Sequence, residues 1–318
     1  MSTGAAVPAT PFLQRLAAAP ISWGICEVPG WGAQLPPERV LDEMSELGFA
    51  TTELGAAGYL PEDPAELKEL LAAHDLTLCG AFIPVVVHDA AEAEATRTAV
   101  REAADLLTAA GATYFISAPV MDWDWGPKRD LSDDEWAHAY ALLDEIEDYC
   151  TERGLIQAVH PHLGTLLERD HEVQRVLDNT RAGFTLDTGH LLIGGYDPMQ
   201  FVENHFDRIT HVHLKDVVMD LALPVLNGEM PIMDGVQQGM FCNLGAGDVP
   251  IAEVVQAVDA RGFGGLYVIE QDAAILGDLP APGAGPKDDI ATSVAYLAGL
   301  PLSGEPADMQ TTMEGNSQ

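Results

Sequence analysis

Residues 209–216 read ITHVHLKD. An apolar run carries two histidines at alternate positions, His211 and His213, and then gives way to Lys215 and Asp216. A period of two places both imidazoles on the same face of a strand. Three other stretches repeat the plan: 156–165 (IQAVHPHLGT), 184–190 (FTLDTGH) and 266–272 (LYVIEQD). A carboxylate or imidazole at the last residue of a buried strand is a costly way to build a core. It is a natural way to build a site at the carboxyl rim of a parallel barrel.

The rest of the chain supports that architecture. Strand-like runs near 20–25, 49–54, 76–84, 113–118, 156–160, 182–187, 208–213 and 266–270 alternate with amphipathic stretches. In the first of these, from about residue 37, Val40, Leu41, Met44 and Leu47 share one helical face. The stretch 90–110 is rich in the strong helix formers Ala, Glu and Arg. The stretch 131–153 opens with Ser132 and, three residues on, Glu135, the signature of a capping box. Further helices are expected at 64–74, 170–179, 198–205, 251–261 and 287–300. Alternation of this kind without a break in composition predicts a single (β/α)8 barrel over residues 20–301, with a doubly wound open sheet as the competing architecture. Residues 1–19 read as a flexible arm and 302–318 as a disordered tail. The connection of about 217–249, after the seventh strand, is longer than compact domains usually allow. It reads as a lid over the substrate or as an inserted structural hairpin.

Composition narrows the function. Fifty acidic residues against fifteen basic ones give a formal net charge of −35, which repels phosphate backbones and anionic membranes. Nucleic acid and membrane partners are therefore not expected. Cys26, Cys79, Cys150 and Cys242 form no CxxC pair and fit small buried side chains in a reducing compartment. There is no basic, apolar leader at the start and no long uninterrupted apolar stretch, so a soluble cytoplasmic protein is expected.

Asp187, His213 and Glu270 end the sixth, seventh and eighth predicted strands. Carboxylate oxygen mixed with imidazole, and no thiolate, suits one divalent ion such as Mn²⁺, Co²⁺, Fe²⁺ or Mg²⁺. The fifth strand offers His160 and His162, two residues apart and so on the same side. His211 shares the face of His213 and can support it from a deeper layer.

LDTGH at 186–190 and HVHLKD at 211–216 resemble the sixth- and seventh-strand motifs of the xylose-isomerase-like barrels. That group includes sugar isomerases, ketose epimerases, inosose dehydratases and endonuclease-IV-type enzymes. The resemblance spans about residues 20–300. PISWG, TELG, HPHLGT, LGAGDV and IEQD are similar to the inosose (2-keto-myo-inositol) dehydratase branch. It implies metal ligation by Asp187, His213 and Glu270, with the fourth ligand open between His160, His162 and Glu168. Most of the group carries a glutamate where this chain has His160, a departure shared with the dehydratase branch.

The implied reaction removes water from a cyclic polyhydroxy ketone. His162 and His190 are the candidate acid–base pair, and Lys215 can stabilise the developing enolate or pair with Asp216 at the surface. Glu53 and Trp23 are candidate sugar contacts, Trp23 equally a packing residue. An epimerase or isomerase would use nearly the same rim, although epimerases of this group rely on a fifth-strand glutamate. A non-catalytic barrel would be expected to have lost ligands. A homo-oligomer is compatible with all of these.

Overall fold

A computed structural model describes residues 12–302. Among the described residues ten strands form: β1 (Leu16–Ala18), β2 (Thr51–Glu53), β3 (Thr77–Val85), β4 (Tyr114–Pro119), β5 (Ile156–Val159), β6 (Phe184–Asp187), β7 (Ile209–Leu214), β8 (Asp216–Val217), β9 (Phe241–Cys242) and β10 (Tyr267–Ile269). β1 to β7 and β10 close into an all-parallel barrel, in which β10 lies between β7 and β1. β8 and β9 pair antiparallel outside it. The eighth predicted strand is thus β10.

Barrel strands are covered on both faces, so they read as nearly continuous apolar runs. β4 is buried at every position, as is β6. Helices follow the strands and bury apolar stripes against them. The helix Asp133–Glu152 starts at Ser132 through the expected capping box and buries Trp136, Ala139, Leu142, Leu143, Ile146 and Cys150. Asp63 caps the helix Pro64–Ala73 by accepting from two backbone N–H groups.

The barrel begins earlier than the sequence suggests. The stretch expected as the first strand holds a 3₁₀ turn, Pro20–Trp23, and the strand itself is Leu16–Ala18. Proline lacks an N–H and suits the first turn of a helix better than a ladder. Small residues, Ala17 and Ala18, fill the buried strand instead. The arm expected at 1–19 is accordingly structured from Phe12 on, and its first eleven residues lie outside the described residues, as does the expected tail from 303.

The long connection after β7 holds two short helices, Met219–Leu226 and Ile232–Gln237. Its base is tied by one side chain. The buried Asp216 carboxylate accepts from the backbone N–H groups of Val217, Gly245, Gly247 and Val249. Asp216 is therefore not the partner of Lys215. A side chain at 247 would meet Asp216 Oδ1 at 2.4 Å, so only glycine fits there. Gln237 Nε2 donates to the carbonyls of Gly30 and Trp31, joining this segment to the loop after β1. Among the described residues no helix is long and apolar enough to cross a membrane. All four cysteines are free.

Candidate active site

Because the strands run parallel, their carboxyl ends share one rim. Asp187 closes β6, His213 stands in β7 beside it, and His160 and Glu270 follow β5 and β10 directly. Ligand atoms from His160, Asp187, His213 and Glu270 lie within 4.8 Å of one another, and all four side chains are buried. His160 Nε2 is 3.3 Å from Asp187 Oδ2, and His213 Nδ1 is 3.6 Å from the same oxygen and 3.0 Å from Glu270 Oε2. Geometry brings His160 into this set. His162 falls in a second group with His190 and Asp272, and Glu168 accepts from the N–H of Gly164 in the loop.

Local structure explains the aim of each group. Asp187 caps the helix Thr188–Ile193, with Oδ1 accepting from the His190 N–H at 2.7 Å, which leaves Oδ2 turned to the cluster. The sequence reading did not foresee this short helix. Glu53, expected among sugar contacts, is instead buried, and its Oε1 lies 2.8 Å from Nε2 of both His211 and His213. An Nε2–H donated to Glu53 leaves His213 Nδ1 facing Asp187 and Glu270. His211 indeed lies a layer behind His213, with ring centroids 5.0 Å apart. Trp23 is fully buried, and its indole N–H donates to Glu43 at 2.9 Å, as a packing residue would.

Burial disfavours charge on every group here, and neighbours then decide. Burial alone would raise the Glu53 carboxyl, but His213 and His211 pull it down to about 2. Burial lowers His160 to about 4, against the pull of Asp187. His190 sits well below the ordinary imidazole range because it is buried beside His162 and Lys215. His213 is the exception: Glu270 and Glu53 overcome burial and hold it well above that range.

These residues fit a divalent ion. His213 Nδ1, His160 Nε2 and oxygens of Asp187 and Glu270 converge in one buried space, with His213 Nδ1 3.0 Å from Glu270 Oε2 and His160 Nε2 3.3 Å from Asp187 Oδ2. Two carboxylates and two imidazoles are a donor set for a borderline cation, more positive by one charge than a set with a third carboxylate.

Beside this set lies a second one. His162 donates from Nδ1 to its neighbour's carbonyl, Leu163 O, at 2.6 Å, which leaves its Nε2 free to accept a proton. Its ring centroid is 3.9 Å from that of His190. Lys215 is fully buried, with Nζ 3.1 Å from His190 Nε2, 2.8 Å from Asp272 Oδ1 and 2.9 Å from Glu270 Oε2. Those carboxylates outweigh burial and hold its pKa above the usual lysine value. Its backbone is locked by Thr188, whose hydroxyl accepts from Lys215 N at 2.9 Å and donates to Lys215 O at 2.7 Å. A Cβ on Gly189 would come within 2.8 Å of the lysine stem.

Sequence reasoning missed the aromatic wall. Phe82 from β3 meets His160 and His162 edge-on, at 5.5 Å from each. Trp125 stacks on Phe82 at 6.0 Å, is 42% exposed, and has φ of 56°. Asp122 holds that turn by accepting from the N–H groups of Asp124 and Gly126. Phe241, from the segment after β7, packs on His190 and Lys215. No periodicity marks these residues. Asp272 could have been found, since it stands two residues past Glu270 in the IEQD stretch.

Fold and site together define a (β/α)8 barrel with an imidazole–carboxylate cluster at its carboxyl rim. The chain belongs to the xylose isomerase-like TIM barrel family, whose model matches residues 41–299. It is 32% identical over 277 residues to an inosose dehydratase of Geobacillus kaustophilus, covering 82% of this chain and 89% of that one. It is 31% identical over 267 residues to the rhizopine catabolism protein MocC of Rhizobium meliloti, covering 81% of each. Among solved structures, the IOLI protein with a bound zinc atom superposes with a TM-score of 0.66 at 14% identity, covering 90% of this chain and 97% of that one.

Proposed function

We propose that this protein is a metal-dependent dehydratase, a carbon–oxygen lyase acting on a cyclic polyhydroxy ketone of the inosose type. The observation that carries the reading is the juxtaposition of two sets: a four-residue cation site, and a His162–His190–Lys215 group that shares Glu270 with it. The relatives named inosose dehydratase supply the substrate class. His160, Asp187, His213 and Glu270 would hold the ion, Mn²⁺ or Co²⁺ by the donor set. A bound divalent ion supplies Lewis acidity at the ketone or its neighbouring hydroxyl, which acidifies the adjacent C–H.

The chain's own residues handle the protons. His162, with Nδ1 committed to Leu163, takes the C–H proton on Nε2. His190, whose Nε2 lies 3.1 Å from Lys215 Nζ, gives the proton with which the departing hydroxyl leaves as water. The Lys215 ammonium is a fixed positive charge for the enolate oxygen, preorganised by Thr188 and Gly189. Trp125 and Phe82 offer an apolar ledge for the C–H face of the ring, and the segment carrying Phe241 covers the site. An epimerase of this family would need a second acid–base carboxylate where His160 stands.

The test is to strip the protein with chelator, restore Mn²⁺, Co²⁺, Mg²⁺ or Zn²⁺ separately, and follow the ultraviolet absorbance of the dehydrated dione from 2-keto-myo-inositol. Metal-dependent product is expected. Metal binding with no turnover of this ketone would remove the substrate assignment.

A further inference from the structure

The surroundings of Lys215 are those of a metal ion. Within 3.1 Å its Nζ has two carboxylate oxygens, Asp272 Oδ1 and Glu270 Oε2, and one imidazole nitrogen, His190 Nε2. Asp187 Oδ2 is 3.8 Å away. Hard oxygen mixed with imidazole is the environment borderline divalent cations select. Independently of the lysine, ligand atoms of His162, His190 and Asp272 lie within 4.8 Å of one another. The Nε2 lone pair of His162 is uncommitted, because its Nδ1 donates to Leu163 O. Glu270 Oε2 serves both neighbourhoods, being 2.9 Å from Lys215 Nζ and 3.0 Å from His213 Nδ1.

We propose that the Lys215 ammonium occupies the second of two adjacent cation positions, so that the protein binds one divalent ion, and that removing this charge opens a second divalent-metal site formed by His162, His190 and Asp272 with Glu270 shared. The inference rests on the four-residue metal reading above. Its physical basis is charge compensation. Asp272 is buried and its ion-pair partner is Lys215, and a buried carboxylate stripped of its counterion is strongly disfavoured unless another cation takes the place. A tethered ammonium differs from a metal in two ways: it cannot dissociate, and it carries protons. The position thereby gains a permanent charge, at the cost of Lewis acidity there.

Mn²⁺ alone is the probe. The unaltered protein, Lys215→Met and Lys215→Met/Asp272→Asn are equilibrated with Mn²⁺ and freed of excess. Metal per chain is then measured, with an electron paramagnetic resonance spectrum of each. One, two and one ions are expected, with an exchange-coupled spectrum from Lys215→Met alone. One ion in both the unaltered protein and a folded Lys215→Met overturns the inference and leaves the metal reading standing, and two ions in the unaltered protein also overturn it. No ion in any of them overturns both. Asp272→Asn tests the same idea without removing the lysine. Its Mn²⁺ affinity should be unchanged, because that carboxylate serves the ammonium and not the ion; loss of its single Mn²⁺ overturns the proposal.

Discussion

Glu53 Oε1 lies 2.8 Å from His213 Nε2, both side chains buried, with the sequence separation of 160 residues bridged across the barrel. A carboxylate behind a metal-facing imidazole fixes the tautomer and the ring. Glu53→Gln is expected to weaken Mn²⁺ binding by about 10- to 100-fold, read by competition with a chromophoric chelator. Unchanged affinity would mean that packing alone orients His213.

His162→Ala tests the base. With Mn²⁺ content unchanged, kcat on 2-keto-myo-inositol should fall by about 10²- to 10⁴-fold. Exchange of the substrate's C–H with solvent deuterium should stop in parallel, and persistent exchange would assign the proton abstraction elsewhere.

Acid should destabilise the metal-free protein in two stages. His160 is lowered from 6.5 to about 4, so the unfolded chain takes up its proton first and stability falls as pH drops from about 6.5 to about 4. Glu53 is lowered from 4.5 to about 2, so its contribution is present above pH 4.5 and is lost as pH falls toward 2. Melting temperature against pH should show both declines, and Glu53→Gln should lessen the lower one, to which Asp187 and Glu270 also contribute.

Trp125→Ala removes the exposed ring that stacks on Phe82. An aromatic contact that binds ground and transition states equally changes KM and leaves kcat alone. About a tenfold rise in KM is expected, checked by steady-state kinetics on the Mn²⁺ enzyme. A fall in kcat at constant KM would place the ring in the chemistry itself.

Asp216→Ala leaves four backbone N–H groups without their carboxylate. The loss should be on the order of 3 kcal/mol, measured by urea unfolding. Limited proteolysis should cut first within 217–249.

The barrel and its rim were legible because they follow from period. Strands buried on both faces announce themselves as apolar runs, and a polar residue at the end of such a run stands out. His160, Asp187, His213, Glu270 and Lys215 stand out in this way, and they lie together at the rim. The first strand was not legible, since Leu16–Ala18 is three small or common residues next to a proline-containing turn. The pairing of Glu53 with His213 was not legible: a strand-end carboxylate looks the same from the sequence whether it meets a ligand or the back of a histidine on a strand 160 residues away. Trp125 was invisible, because its position depends on a left-handed backbone residue held by Asp122.

The clasp at Asp216 has an evolutionary consequence. One carboxylate holds the residues at both ends of the 217–249 segment, so the barrel sees the same closed doorway whatever lies between. Insertions or deletions within 219–240 need not disturb the backbone of Lys215 next door, which is secured separately by Thr188. Such a chain can alter what it admits while leaving untouched the machinery that acts on it.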